Sequence, residues 1–297
     1  IDYCVRESIK LGMNPIDAIS IASRNCFDYY KMGSDFGGIG PGKVADILIL
    51  DDYKKIKINK VILGGKIVVS NGKIVAKIYT PKVPTWMKKT VKIPKLQPKS
   101  FNVTSKNNVE TVNTILMRTE IVTKKSSADL DVTDSNVSAS YDKDIWKVAA
   151  LDRTFGSKTK TVGFLENFGA DIGAFASTWS FHENDMIVIG SNESDMADAC
   201  NKLTKSQGGL IVVKDGKTLA SLPFQLGGIL STDPIDKVTK NFTKINDVLV
   251  DSGCKFKKPH LMPLFLPFLA LPDIRILYSG IVDVKSRQFI PTIQTNL

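Results

Sequence analysis

Residues 36–50 read FGGIGPGKVADILIL, a glycine-rich turn that runs directly into an apolar stretch. Gly37, Gly38, Gly40 and Gly42 open positive-φ conformations around Pro41, whose ring fixes its own φ, so a sharp turn should lead into a strand over Val44–Leu50. The spacing is not that of a phosphate loop. The signature GxxxxGK[ST] needs a hydroxyl after its lysine, and Lys43 is followed by Val44. A dinucleotide fingerprint needs a helix after its glycines, and here a strand follows. The stretch therefore reads as a structural hairpin or a turn into a sheet.

Working outward, two helices are expected before the turn. The first opens the chain, with Tyr3, Ile9 and Leu11 on its apolar side. Asn14 caps the second, Pro15 takes its first position, Asp17 sits where a capping-box carboxylate belongs, and Ala18, Ile19 and Ala22 form its apolar side. The chain begins at Ile1 in mid-pattern and reads as a piece of something longer. After the turn, strands at 60–63, 66–70 and 73–78 are separated by Gly64-Gly65 and Asn71-Gly72, the second pair being a strong type I′ hairpin signal. A sheet this small needs something further to pack on.

Residues 80–100 carry Pro81, Pro84, Pro94 and Pro98 among lysines and read as a mostly extended connector, followed by strand-like segments at 109–123. From about residue 140 the pattern becomes mixed α/β. A helix is expected from Ser140 or Asp142 through Ile145, Val148 and Ala149 to Arg153. Strands should follow at 161–164, 172–177 and 186–189, then a helix capped by Asn192 that carries Met196, Ala199, Cys200 and Leu203 and ends near Gly208-Gly209. Strands at 209–213 and 218–222 form a hairpin around Asp215-Gly216, with more residues between them than at Asn71-Gly72. Asp233 and Pro234 start a longer helix with Val238, Phe242, Ile245 and Leu249 at three- and four-residue spacing, stopped by Gly253. Leu261–Leu271, interrupted by Pro263 and Pro267, reads as a packed extended segment. The expected class is thus mixed α/β and β, with one compact α/β domain at the carboxyl end.

At 297 residues and 43% hydrophobic, the chain has material for about two domains. It has no apolar run approaching a membrane span and no signal-peptide pattern, so no membrane partner is expected. Cys4, Cys26, Cys200 and Cys254 form no CxxC pair and read as free buried thiols of a cytoplasmic protein. The formal charge of +10 is concentrated between Lys54 and Lys125, where 17 Lys and Arg face only Glu110 and Glu120. Such a field steers anions. The basic residues alternate with β-branched ones, without interleaved aromatics or a recognition helix, so no nucleic-acid partner is expected.

Only two histidines are present, His182 and His260. No His-x-His, His-Glu-x-x-His or paired-cysteine site exists, so a complete zinc hydrolase site is not readable here. The absence of G-x-S-x-G argues against a serine hydrolase. His182-Glu183-Asn184-Asp185 precedes an apolar strand. Imidazole beside carboxylates can shuttle a proton or complete a metal shell, and the same residues equally suit a solvated turn. His260, in KKPHLMPLF, reads as a packed or hydrogen-bonded imidazole. Asp46 and Asp283 read as organisers of turns or sheets.

These stretches carry a resemblance. NPIDAISIASRNCFDYY (14–30), GGIGPGKVADILILDD (37–52) and VILGGKIVVSNGKIV (61–75) resemble the end of an amidohydrolase barrel and its return into a β-sandwich. DKDIWKVAALDR (142–153), the segments 163–203 and 208–234, and GIVDV (280–284) resemble the extra carboxyl-terminal domain of the adenine deaminase family. The resemblance implies terminal barrel helices over 1–35, a β-sandwich part with connector over 36–135 and the family's α/β domain over 136–297. It implies a complete enzyme that deaminates adenine hydrolytically with Mn2+, the metal ligands lying in a barrel segment before Ile1, so that this chain alone holds no metal and is inactive. Its partners would be a purine substrate, that barrel segment and further copies of itself. A motif like Ala-His-Asp-Ser-His-Asn in the family aligns with the turn at Phe181–Met186. His182 matches, Glu183 replaces the aspartate and Asp185 stands where a second histidine belongs, leaving His182 and Glu183 as the candidate catalytic residues. An accessory domain completing a separate barrel and another metal-dependent amidohydrolase activity are the alternative readings.

Overall fold

The computed structural model describes residues 1–77 and 82–294. The chain divides into two compact units, Ile1–Lys82 and Val83–Leu297. The class is mixed α/β with several sheets and no closed barrel among the described residues.

The first unit opens with α1 (Asp2–Lys10), α2 (Pro15–Ile21) and α3 (Arg24–Tyr29). Asn14 caps α2 by accepting from Ile16 N at 2.8 Å. The third helix was not expected; it is short, and Phe27 stacks on Phe36 at 5.1 Å, a contact made only once the glycine turn brings Phe36 back. The turn itself is closed by Lys43, whose ammonium donates to the carbonyls of Gly33 and Phe36 and so has no use for an anion. Gly37 sits at φ +80, where an added Cβ would lie 3.2 Å from Arg24 Cα. The strand begins three residues later than expected, as β1 (Ile47–Asp52), and continues as a four-stranded antiparallel meander through β2 (Lys57–Leu63), β3 (Lys66–Ser70) and β4 (Lys73–Ile74). The remainder of the strand expected to reach Ile78, and Pro81 of the connector, include positions outside the described residues.

The core of this unit is small. Val5, Ala18 and Ile56 are buried, with Ile9, Ile19, Ala22, Leu50 and Ile58 packed against them. Ile56 enters it at φ 50, a region that costs a β-branched residue roughly 1–3 kcal/mol. Tyr3 and Leu11, expected on the buried side of the first helix, are exposed; Val5 and Ile9 face inward instead, because the packing stripe of so short a helix is narrow.

The second unit is built on a nine-stranded sheet of β5 (Val109–Met117), β6 (Thr123–Thr133), β7 (Asn136–Val137), β8 (Ile145–Asp152), β9 (Lys160–Glu166), β10 (Ala174–Ser177), β11 (Asp185–Gly190), β12 (Gly209–Lys214) and β13 (Lys217–Pro223). The order is β13-β12-β10-β11-β8-β9-β5-β6-β7, antiparallel except for β5 beside β9. Strands over 109–133 are therefore hydrogen-bonded into the same sheet as those after residue 136.

The helix expected over 140–153 is a strand. All eight residues of β8 are buried, flanked by β11 and β9, and a mostly apolar stretch of this length fits a buried strand as well as a buried helix. Lys147 shows what the strand reading demands: only 1% exposed, it donates to Phe101 O at 3.1 Å, Asn136 Oδ1 at 2.9 Å and Glu193 Oε1 at 2.5 Å, so each of its three protons has a partner.

One face of the sheet carries α4 (Glu193–Ser206), capped by Asn192, which accepts from Asp195 N at 2.8 Å. Met196, Ala199, Cys200 and Leu203 pack there with Val91, Ile93, Leu96 and Phe101. The segment expected as a free connector is thus partly core, because its apolar residues alternate with exposed lysines. Buried Asp195 accepts from Asp215 N and Gly216 N, both at 2.8 Å, and fixes the two-residue turn between β12 and β13, tighter than expected.

The other face carries α5 (Ile235–Asp251), whose Ile245 and Leu249 are buried with Trp146, Phe168, Phe175 and Leu222. Asp233 does not cap this helix; Pro234 occupies the cap and the Asp233 carboxylate takes the Lys237 ammonium. The segment expected to be extended over 261–271 instead begins in helix: residues 259–265 form a 3-10 turn and α6 (Met262–Phe265), since a proline in the first turn of a helix loses no bond. A three-stranded sheet of β14 (Ile274–Leu277), β15 (Gly280–Asp283) and β16 (Gln288–Ile290) completes the unit. Buried Arg275 ties it in by donating to the carbonyls of Ile121, Phe265 and Pro272. Of the four free thiols, Cys200 and Cys254 are buried, whereas Cys4 and Cys26 are exposed.

Candidate active site

The turn at 181–184 links the end of β10 to the start of β11. Asn184 forms its corner in the left-handed region at φ 58, which asparagine tolerates better than most residues. Ser180 Oγ accepts from Asn184 N at 3.0 Å, and Asn184 Nδ2 donates back to His182 O at 3.1 Å. His182 is exposed, and its ring has no partner among the described residues. Glu183 Oε1 accepts from Leu269 N at 3.3 Å, while its Oε2 is buried with no partner among the described residues. The two candidate residues thus sit on one turn without a hydrogen bond between their side chains.

Two charged groups hold the turn from below. Asp185, the first residue of β11, is buried opposite Asp152 of β8 and accepts from Tyr278 N at 2.9 Å. Burial pushes its carboxyl up to about 7, helped by the charges of Glu183 and Asp152 and opposed by the Tyr278 amide and Arg153. Arg153 follows β8, almost wholly buried. One arm of its guanidinium donates to Gly227 O at 3.0 Å and the other to Asn184 Oδ1 at 3.1 Å, while Nε has no partner among the described residues. Burial lowers it to about 10, which leaves it charged at neutral pH. Gly228, at φ +73, admits this arm: an added Cβ would stand 2.7 Å from Arg153 Nη1.

Sequence reasoning missed Arg153 as a functional-site residue, because it was read as the end of a helix. Its only sequence signal is an arginine closing a mostly apolar run. Beside the turn, Phe181 lies edge-on to Phe265 at 5.2 Å and tilted on Phe268 at 5.3 Å while remaining 56% exposed, so an aromatic surface adjoins the imidazole.

The other residues singled out from the sequence are structural. His260 Nδ1 pairs with Asn246 Oδ1 at 2.9 Å, its ring lies edge-on to Phe242, and burial, followed by the Lys258 charge, lowers its pKa. Asp46 accepts from Gly64 N at 2.7 Å, and Asp283 accepts from the amides of Lys285 and Ser286, each 3.1 Å away.

Residues 120–288, from the end of the β5–β6 turn to β16, match the family described as adenine deaminase C-terminal domain. The chain belongs to that family. Residues 3–75 match the amidohydrolase family. Adenine deaminase of Cenarchaeum symbiosum is 52% identical over 99% of this chain and 48% of its own length. Adenine deaminases of Desulforamulus reducens and Clostridium botulinum are 32% and 30% identical, each over half or nearly half of their own length. The chain thus spans about half the length of the curated relatives it matches, and the adenine deaminase C-terminal domain fills most of its second unit.

Proposed function

We propose that this chain is the carboxyl-terminal half of a cytoplasmic enzyme of purine breakdown that hydrolyses adenine to hypoxanthine and ammonia. The observation that carries the reading is the family match over residues 120–288, which takes in the strand ends that hold the His182 turn. In this reading Ile1–Asp35 are the last helices of an amidohydrolase barrel and the meander after them is part of its β-sandwich. The amidohydrolase match over 3–75 supports it, as does a groove of about 560 Å³ walled by Val5, Phe27, Phe36, Ile39 and Leu48, an apolar surface suited to the remainder of such a domain. Four unpaired thiols support the cytoplasm.

The amidohydrolase family is metal-dependent, and manganese is the metal we assign to the complete enzyme. Among the described residues no group of three or more His, Cys, Asp or Glu side chains is arranged to hold a metal ion. The described residues do not fit that role, and no step is routed through a metal. What the chain offers is proton handling at one turn: an exposed imidazole at His182 and, at Glu183, a carboxylate with one oxygen free to take a proton. Arg153 and Asp185 act through that turn as positioning residues.

The assignment is tested by joining this chain to the preceding half of the Cenarchaeum symbiosum relative and following ammonia release from adenine. Glu183→Gln and His182→Ala should each lower kcat by about a hundredfold or more, the lower end of a general acid–base contribution. Unchanged kcat in both variants would remove the turn from the active site.

A further inference from the structure

A second site lies in the Val83–Leu297 unit, on the face of the sheet that carries α4. A pocket of about 290 Å³ opens between residues 93–100 and 157–160, lined by Ile93, Lys95, Leu96, Lys158, Thr159 and Lys160 among others. We propose that it binds a small anion carrying a phosphate group, either inorganic phosphate or a phosphate ester of sugar size.

Charge is the first argument. Lys147, Lys202 and Lys214 of the same unit pair with Glu193, Asp198 and Asp171. Lys95, Lys158 and Lys160 are exposed at the pocket and pair with no carboxylate among the described residues. The one carboxylate in the lining, Asp152, is turned into its own loop. It accepts from Thr154 N at 2.9 Å, Phe155 N at 3.0 Å, and both the amide (3.1 Å) and hydroxyl of Ser157. Lys95, Lys158 and Lys160 therefore line one pocket without a carboxylate partner among the described residues, which suits a dianion that takes several charge-assisted hydrogen bonds at once.

Hydroxyls and rigidity supply the rest. Ser100 Oγ accepts from Gln97 N and keeps its own proton to donate, and Thr159 is a further lining residue. The wall over 91–100 is fixed before any ligand arrives: Lys92 N donates to Arg153 O at 2.8 Å, and Leu96 exchanges two bonds with the Asn201 side chain, at 2.9 and 3.0 Å. On the opposite wall Gly156 sits at φ +71, where an added Cβ would be 3.3 Å from Lys92 O, so the two walls approach to backbone distance. Leu151, Ile93 and Leu96 make an apolar floor. The volume falls at the small end of ligand pockets, which start at about 300 Å³, and so suits phosphate with at most a sugar. No aromatic side chain lines the pocket for base stacking, which disfavours single-stranded nucleic acid.

The test is titration calorimetry on the full chain at constant ionic strength, with inorganic phosphate, ribose 5-phosphate and ribose. Saturable binding of either phosphate with none of ribose is expected, and the tighter of the two identifies the source of the group. Lys158→Glu/Lys160→Glu should weaken it by about tenfold or more, and Lys240→Glu/Lys257→Glu, the same charge change on and beyond α5, by less than about twofold. Circular dichroism checks that each variant is folded, and the milder Lys95→Ala/Lys158→Ala, expected to lose roughly threefold or more, stands in if the first is not. Three results would overturn the proposal: no saturable phosphate binding, equal weakening in both charge-reversal pairs, or a site that takes a single-stranded oligonucleotide and ignores phosphate.

Discussion

The Val83–Leu297 unit closes its sheet on both faces, with Trp146, Phe168 and Phe175 on one side and Phe101, Met186 and Met196 on the other, all buried. The Ile1–Lys82 unit closes over Val5, Ala18 and Ile56 alone, and leaves Leu11 and Ile39 more than four-fifths exposed. Both units have well-formed local structure. They differ in whether the apolar faces that the local structure creates find a partner, and stability follows the partner rather than the propensity. The family matches divide along the same boundary: residues 120–288, in the second unit, match the adenine deaminase C-terminal domain, and residues 3–75, in the first, match the amidohydrolase family.

That contrast breaks most readily under denaturant. Phe175→Ala should cost the second unit about 3–5 kcal/mol, whereas Val5→Ala should cost the first about 1 kcal/mol, because little close-packed core surrounds it. Urea titration with separate probes should also show the first unit melting earlier. A single coincident transition would dissolve the distinction between the units.

Next in size is the pair of buried Lys147 with half-buried Glu193. Glu193→Ala leaves the ammonium without its carboxylate, at a cost of about 3 kcal/mol in the same titration, while the double variant with Lys147→Met should recover most of the loss. Recovery of none of it would mean that packing, not charge, sets the penalty.

Asp185 gives a pH signature. Its folded-state pKa near 7 lies above its ordinary 3.8, so between those values the folded chain holds a proton that the unfolded chain has released. Stability should therefore fall, by roughly 1–4 kcal/mol, as pH rises from about 4 to 7, and level off above. Asp185→Asn keeps an acceptor for Tyr278 N and should flatten the slope. An unchanged slope would place the titration elsewhere.

The smallest effect is in the first unit. Asp46→Ala removes the acceptor of Gly64 N and should cost about 0.5–1.5 kcal/mol of that unit alone, visible as faster amide exchange across β1 and β2.

Legibility in the sequence divides along chemical lines. Elements with local punctuation were readable: Asn192 capping α4, Asn71-Gly72 turning β3 into β4, and the spacing from Val238 to Leu249 on α5. Ile145–Asp152 was not, because a strand buried on both faces loses its alternation, and only the sheet around it distinguishes it from a helix. At the candidate site the His182 turn was legible as a polar cluster before an apolar strand. Arg153 was not, since its partners Asn184 and Gly227 lie 31 and 74 residues away and meet it only in the folded sheet.

If this chain is half of an adenine deaminase, as proposed, the chemistry needs more than these residues. Ammonia release from adenine, with manganese present, should be measured for the purified chain alone and after mixing with the preceding half of the Cenarchaeum symbiosum relative. No turnover is expected from the chain alone, and turnover is expected from the mixture. Robust turnover by the chain alone would contradict the proposed assignment.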